Sequence, residues 1–117
     1  MKTTILVKRV YDLPLKKDGY RVLADRLWPR GIAKAAAGID EWAKELAPST
    51  GLRKWFHQDP AQWHRFQEMY LAELKANELV ADFVHRHRDK QVITLLYAAK
   101  DEERNHAIVL QNYLRLQ

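Results

Sequence analysis

Hydrophobic residues divide the chain into strand-like segments near both ends and a helical middle. Thr3 to Arg9, "TTILVKR", is β-branched and apolar at its centre, and Tyr20 to Leu27 is a second segment of this kind. Gln91 to Ala98, "QVITLLYA", is continuously apolar, which is typical of a strand covered on both faces. The three segments therefore predict three strands, with a loop between the first two where a proline and an Asp-Gly pair occur.

The middle of the chain repeats apolar residues at helical spacing. We expect a first helix over Gly38 to Ala47, because its apolar residues recur every three or four positions. Further helices are expected to begin at polar residues whose side chains can accept from free backbone N–H groups. These predicted caps are Ser49, Asp59, Asn77 and Asp101.

The order of these segments predicts one α/β domain over residues 1–117. Strands separated by a block of helices favour a small, mainly parallel sheet of about three strands covered by helices, a Rossmann-like arrangement. A length of 117 residues fits a single domain. Ligands of open α/β sheets bind outside the carboxyl ends of the strands, so we expect a site where the second and third strands end.

Two polar clusters follow those strands. In the first, "DRLWPRG", Arg26 and Arg30 offer planar groups that suit phosphate or carboxylate, and Gly31 allows close backbone approach or a positive φ. In the second, Lys100 adds a point charge, and the amides that follow Asp101 could hold the same anion. We therefore predict that these five residues bind a small anionic ligand that carries phosphate.

An acid–base pair is the candidate chemistry of the same region. His106 can gain or lose a proton near neutral pH, and Asp25 could orient the imidazole or act as the base. A structural interpretation stays open for each residue. Asp25 could form an ion pair with a neighbouring arginine, Trp28 and Pro29 could form a packed corner, and Asp101 could serve only as a helix cap.

Composition adds a mild attraction for anions. The chain has 20 Lys and Arg against 15 Asp and Glu, which gives a net charge of +5. This charge favours phosphates, nucleotides or nucleic acid as partners, although the basic residues are mixed with acidic ones and no nucleic-acid-binding motif occurs. No apolar run approaches the roughly 18 residues of a membrane helix, and no signal peptide is expected. We expect a cytoplasmic protein without membrane contact.

Several kinds of site are excluded or disfavoured. The absence of cysteine excludes disulfides, thiolate metal sites and cysteine nucleophiles. The single serine, Ser49, lies at a predicted cap, which makes hydroxyl catalysis a poor candidate. The histidines lack the spacing of metal ligands, and the scattered glycines form neither a phosphate-binding loop nor a dinucleotide motif. We therefore predict no metal and no cofactor.

Five stretches resemble one known family. They are "KRVYD", "DGYRVLADRLWPRGI", "DEWAKELAPS", "LRKWFHQDP" and "TLLYAAKDEERNHAIVL", and together they span nearly the whole chain. The sequence is similar to the YeaO-like family of bacterial proteins, within the DUF 488 family of unknown function. The resemblance implies an α/β fold with the two clusters near one another and no established activity. In the wider group a cysteine-histidine pair often stands where this chain has Asn105 and His106, which argues against a thiol-based mechanism here.

Three functions follow from these observations. The first is an anion-binding protein or a non-covalent enzyme that uses Arg26, Arg30 and Lys100 for binding. The second is a non-catalytic protein that associates with nucleic acid through its basic surface. The third is an interaction domain in which the clusters are only ion pairs. The sequence does not distinguish oligomeric states.

Overall fold

The computed structural model describes residues 1–34 and 37–117. Their strands are β1 (Thr4–Arg9), β2 (Tyr20–Leu23), β3 (Glu41–Trp42) and β4 (Val92–Tyr97). Their α-helices are α1 (Thr50–Gln58), α2 (Trp63–Ala76), α3 (Glu78–Arg86) and α4 (His106–Arg115). Short 3-10 turns occupy Lys16–Asp18, Lys44–Leu46 and Pro60–Gln62.

The strands form one parallel sheet in the order β1-β4-β2-β3. Thr4 of β1 lies opposite Val92 of β4, and Val22 of β2 lies opposite both Leu95 of β4 and Glu41 of β3. The predicted parallel α/β fold is confirmed. The expected number of about three strands is slightly wrong, because the described chain adds the two-residue β3 beside β2. The carboxyl ends of β2 and β4 are neighbours, so the loops that follow them leave the same side of the sheet.

The predicted helix over Gly38 to Ala47 is wrong. Its middle forms β3, which pairs with β2, and a 3-10 turn follows. Ile39 and Trp42 pack into one core cluster, whereas Leu46 is fully buried in another. The helical spacing therefore does not reflect one apolar helix face. Backbone pairing with the free side of β2 provides the hydrogen bonds that a helix would have made internally.

The sheet has a core on each face. The main core packs strand residues such as Ile5, Val22 and Leu95 against the helices. On the opposite face, Leu23 and Leu96 lie beneath loop residues rather than helices. Because Leu95 and Leu96 point to opposite faces and are both fully buried, β4 is covered on both sides, as its continuous apolar sequence predicts.

The predicted caps are correct for two helices. The Ser49 hydroxyl accepts from the N–H of Leu52 at the start of α1, and the Asn77 side chain accepts from the N–H of Leu79 at the start of α3. Asp59 makes no such bond, because a 3-10 turn precedes α2.

The start of α4 also differs from the prediction. Asn105 caps α4, since its side chain accepts from the N–H of Ile108 at 3.2 Å. Asp101 lies in the preceding turn, where its carboxylate accepts from the N–H groups of Glu103 and Arg104, each at 2.9 Å. His106 is therefore the first residue of α4 rather than a residue one turn into it. Among the described residues, no helix is long and apolar enough to cross a membrane.

Candidate functional site

The structure brings Asp25 and His106 together between the ends of β2 and β4. Asp25 follows β2, and its Oδ2 accepts from the N–H of Ala98, just beyond β4, at 3.0 Å. Its Oδ1 lies 3.0 Å from His106 Nε2. We call the surface formed by residues 9–11, 25–31 and 98–106 the carboxyl edge. Within it, the side chains of the Asp25–His106 pair are each 16% exposed.

The tautomer of His106 follows from its surroundings. Nε2 lies 3.1 Å from the carbonyl oxygen of Ala24, an acceptor that requires a proton on Nε2. In the neutral ring Nδ1 is then an acceptor. Asp25 Oδ1 is buried without a well-directed hydrogen bond within the described residues, although it lies close to His106 Nε2. The approach of Asp25 Oδ1 to His106 Nε2 is therefore a close polar contact rather than a well-directed hydrogen bond.

Tyr70 supports this pair from the main core. Its ring centroid lies 6.5 Å from that of His106, and its hydroxyl donates to the carbonyl oxygen of Leu46 at 2.6 Å. Burial raises the pKa of Tyr70 well above its ordinary value of 10.0, and the negative charge of Glu73 adds to that effect. Tyr70 therefore stays protonated and acts as a fixed support rather than as a proton donor.

Arg26 is directed away from the other predicted cations. Its Nε donates to the carbonyl oxygen of Pro48 at 3.0 Å, and its Nη2 donates to that of Ala47 at 3.2 Å. These bonds tie the loop after β2 to the segment that leads into α1. Much of the hydrogen-bonding capacity of the guanidinium is therefore used within the fold.

Arg30, Gly31 and Lys100 are exposed at the carboxyl edge. Neither the side chain of Arg30 nor that of Lys100 forms an ion pair or hydrogen bond with the residues that the structure describes. Gly31 has a φ of +77°, the left-handed conformation that glycine adopts without strain. Two cations are thus available beside a turn whose geometry depends on glycine.

Asp101 and Asn105 shape the loop that carries Lys100. Hydrogen bonds from the N–H groups of Arg104 and Glu103 hold the pKa of the Asp101 carboxyl below its ordinary value of 3.8. Asn105 is buried, and its side-chain amide donates to the Asp101 carbonyl oxygen at 2.9 Å. Both side chains serve as local turn and cap groups in this structure.

Arg9 and Tyr11 are edge residues that reasoning from individual positions missed. Arg9 ends β1 and donates to the carbonyl oxygens of Ala98 and Ala99, at 3.2 and 3.1 Å. Its guanidinium lies 5.0 Å from the ring centroid of Tyr11, whose hydroxyl donates to the carbonyl oxygen of Arg30 at 3.0 Å. These contacts connect the loops that carry Lys100 and Arg30. Their position in "KRVYD", at the carboxyl end of a parallel strand, was the available signal.

The rest of "DRLWPRG" forms a packed corner. The Trp28 ring meets the Trp42 ring edge-on at 5.4 Å, and its indole N–H donates to the carbonyl oxygen of Ile32 at 2.6 Å. Trp42 in turn donates to the carbonyl oxygen of Asp25 at 2.8 Å. The stretch therefore combines a rigid indole corner with exposed cationic positions.

Two surface grooves lie away from the predicted site residues. One, of about 580 Å³, lies among α2, α3 and the end of α4, and the other, of about 440 Å³, lies beside β1. Within residues 1–34 and 37–117, no group of three or more His, Cys, Asp or Glu side chains could hold a metal ion.

Comparisons with known proteins agree on a family. Residues 4–117 match the family model described as "Inactive DUF488-N3 subclade". The uncharacterized protein YeaO of Escherichia coli K12 is 50% identical over 111 residues, which cover 95% of this chain and 96% of that protein. The uncharacterized protein Rv3073c of Mycobacterium tuberculosis H37Rv is 36% identical over 113 residues, covering 97% and 95%. No solved structure matches the chain.

Proposed function

Because the chain belongs to the inactive DUF488-N3 subclade of the DUF488 family, we propose that it binds a small phosphate-bearing anion at the carboxyl edge without covalent catalysis. The observation that supports this proposal most is the pair of exposed, unengaged cations, Arg30 and Lys100, on the loops that follow two adjacent strands. Hydrogen bonds from Arg9 and Tyr11 connect those loops, so that the two cations extend from loops that are held together. Loops that are already held in place lose less entropy when a ligand binds.

The absence of a Cys, Ser or Thr side chain at the edge supports binding rather than thiol- or hydroxyl-based covalent turnover. Asn105 holds the cap position of α4, where a thiolate would be activated by the helix dipole, and an amide cannot take that role. The chain has no cysteine, and Ser49 donates to Glu73 at the start of α1. The description of the family as inactive agrees with this view.

His106 has a binding role in this proposal. With its proton on Nε2, its Nδ1 can accept a hydrogen bond from a P–OH group or from a ligand hydroxyl. If the protein has an activity, the prediction that His106 and Asp25 are its acid–base pair limits it to non-covalent hydrolysis or transfer.

Thermal unfolding with inorganic phosphate and nucleoside monophosphates tests the proposal. A ligand at about a hundred times its dissociation constant stabilises the folded state by about 2.7 kcal/mol. We expect that stabilisation for the wild type and its loss in Arg30→Ala and Lys100→Ala. Lys54→Ala, which removes an exposed cation from α1, is the matched control and should retain the effect.

Two results would contradict the proposal. One is the absence of stabilisation by any small anion, with Arg30→Ala merely melting earlier, which would make the stretch structural. The other is stabilisation by short oligonucleotides alone, with a steep loss of affinity in salt. That result would favour the nucleic-acid function, because binding along a phosphate backbone releases many counterions.

A further inference from the structure

The outer side of β1 carries unused backbone groups. The N–H of Thr4 donates to Gln91, and that of Val10 donates to Tyr97, both across the β1–β4 pair. Because neighbouring residues of a strand turn their backbone groups to opposite sides, the alternate residues Ile5, Val7 and Arg9 point theirs away from the sheet. β1 is an edge strand, so no strand covers these groups.

Hydrogen bonds from within the fold occupy the outward carbonyl groups at both ends of β1 but not the one at its centre. The carbonyl oxygen of Ile5 accepts from Gln111 at 2.8 Å and from Arg115 at 3.2 Å, both from α4. The carbonyl oxygen of Arg9 accepts from the N–H of Asp12 at 3.1 Å. Between them, neither the N–H nor the C=O of Val7 has a hydrogen-bond partner in the described part of the chain. An unpaired donor and acceptor on one residue of an edge strand is the pattern to which a further strand pairs.

A groove beside the same strand provides room for side chains. It measures about 440 Å³, and its lining includes Leu6, Val7, Leu15, Lys17 and Gln111. Leu15 is 47% exposed. A strand paired with Val7 could therefore place one face of its side chains against apolar groups in this groove.

The charge of the residues around Val7 determines which kind of strand can pair with β1. Lys16 and Lys17 are exposed on the loop that borders the groove, and Arg115 of α4 reaches the carbonyl oxygen of Ile5 on the same strand. The nearby carboxylate of Asp18 is neutralised, because it pairs with both Lys8 and Arg21. The surroundings of Val7 are thus positive, and an incoming strand of negative charge is favoured.

We propose that β1 accepts an acidic, extended segment of a partner protein as an additional strand centred on Val7. A second copy of this chain fits less well. Antiparallel pairing of two β1 strands about Val7 would bring the Lys17 and Arg115 side chains of both copies to one interface without acidic partners. This surface is separate from the binding of an anion at the carboxyl edge, so the two proposals can fail independently.

The test uses capped peptides of alternating valine and glutamate, with alternating valine and lysine as the control of opposite charge. NMR titration should show saturable binding of the acidic peptide, with the Val7 amide shifted and its hydrogen exchange slowed. Val7→Pro removes the outward N–H at a position where an edge strand tolerates proline, and we expect at least about a fivefold loss of affinity. Val7→Thr keeps the N–H and should bind like the wild type.

Charge reversal provides a second variant that does not depend on the proline. Lys17→Glu should weaken the acidic peptide on the order of threefold and strengthen the basic one. Three results would overturn the proposal: no binding of the acidic peptide at millimolar concentration, equal binding of both peptides, or binding without protection of the Val7 amide. Self-association that Val7→Pro abolishes would instead identify a second copy as the occupant.

Discussion

Charged groups at the two ends of β2 are organised in opposite ways. Before the strand, Asp18 is 3% exposed and accepts from Lys8, from Arg21 and from the N–H of Leu15. After the strand, Arg30 is exposed and its side chain has no partner among the described residues. The difference separates charged side chains that are paired within the fold from charged side chains that are exposed and unpaired among the described residues. Only the second kind is available to a ligand.

A second carboxylate, that of Glu41 on β3, follows the first pattern. Glu41 Oε1 accepts from the Tyr20 hydroxyl at 2.9 Å and lies 2.8 Å from His87 Nε2, while its Oε2 lies 3.3 Å from Arg86. Burial alone would raise the pKa of Glu41, but the hydrogen bonds from Arg86 and Tyr20 outweigh it and hold the pKa below its ordinary value of 4.5. Glu41 therefore joins the end of α3 to the sheet.

The largest expected effect is that of Asp18→Asn. The substitution leaves the buried Arg21 guanidinium without a counterion, and we expect a loss of about 3 kcal/mol in the free energy of unfolding. Urea denaturation measures it. Asp89→Asn, at a side chain that is 82% exposed, should cost less than about 0.5 kcal/mol. Equal effects would mean that Asp18 is not a structural charge.

The pH dependence of stability has a definite sign for the same residue. Burial would raise the pKa of Asp18, but hydrogen bonds from Leu15, Lys8 and Arg21 together hold it below 3.8. Its contribution is therefore fully present above about pH 5 and is lost as the pH falls through the folded-state pKa, since the unfolded state binds the proton more readily. The acid limb of stability should be shallower in Asp18→Asn than in the wild type.

A smaller effect is expected for Glu41→Gln. The change weakens the bonds from Tyr20, His87 and Arg86, at a cost of roughly 1–3 kcal/mol. It also has a site-specific signature. Burial, with the hydrogen bond to Glu41 and its charge, raises the pKa of Tyr20 to about 12, so the variant should shift that pKa toward 10.0 in an NMR titration. Asp40→Asn, which removes a more weakly acting charge, should shift it less.

The sequence predicted elements whose signals are local and missed those that depend on distant partners. The apolar segments of β1 and β4 and the caps Ser49 and Asn77 are local signals, and each is confirmed. β3 could not be predicted in this way, because two residues become a strand only when β2 offers them hydrogen-bond partners.

The same distinction applies to the candidate site. Residue types and the rule for parallel sheets were sufficient to predict that the loops holding Asp25 and His106 would meet. The direction of each side chain was not predictable. Arg26 and Arg30 are equivalent as residue types, but the carbonyl groups of Ala47 and Pro48, far along the chain, engage only Arg26. Their anion-binding roles stay predictions.

The smallest expected effect is that of Tyr11→Phe. This variant is also the sharpest test of the exposed, unpaired charges at the carboxyl edge. Tyr11 is 45% exposed, so loss of its bond to the Arg30 carbonyl should cost only about 0.5 kcal/mol of stability. If that bond positions Arg30, phosphate affinity should still fall by roughly twofold, because the backbone of the loop that carries Arg30 must then be ordered when the ligand binds. Titration of both proteins with inorganic phosphate measures the change, and Tyr113→Phe on α4 is the matched control. An unchanged affinity in Tyr11→Phe would show that Arg30 acts through its charge alone and does not need the hydrogen bond from Tyr11 to hold its loop in place.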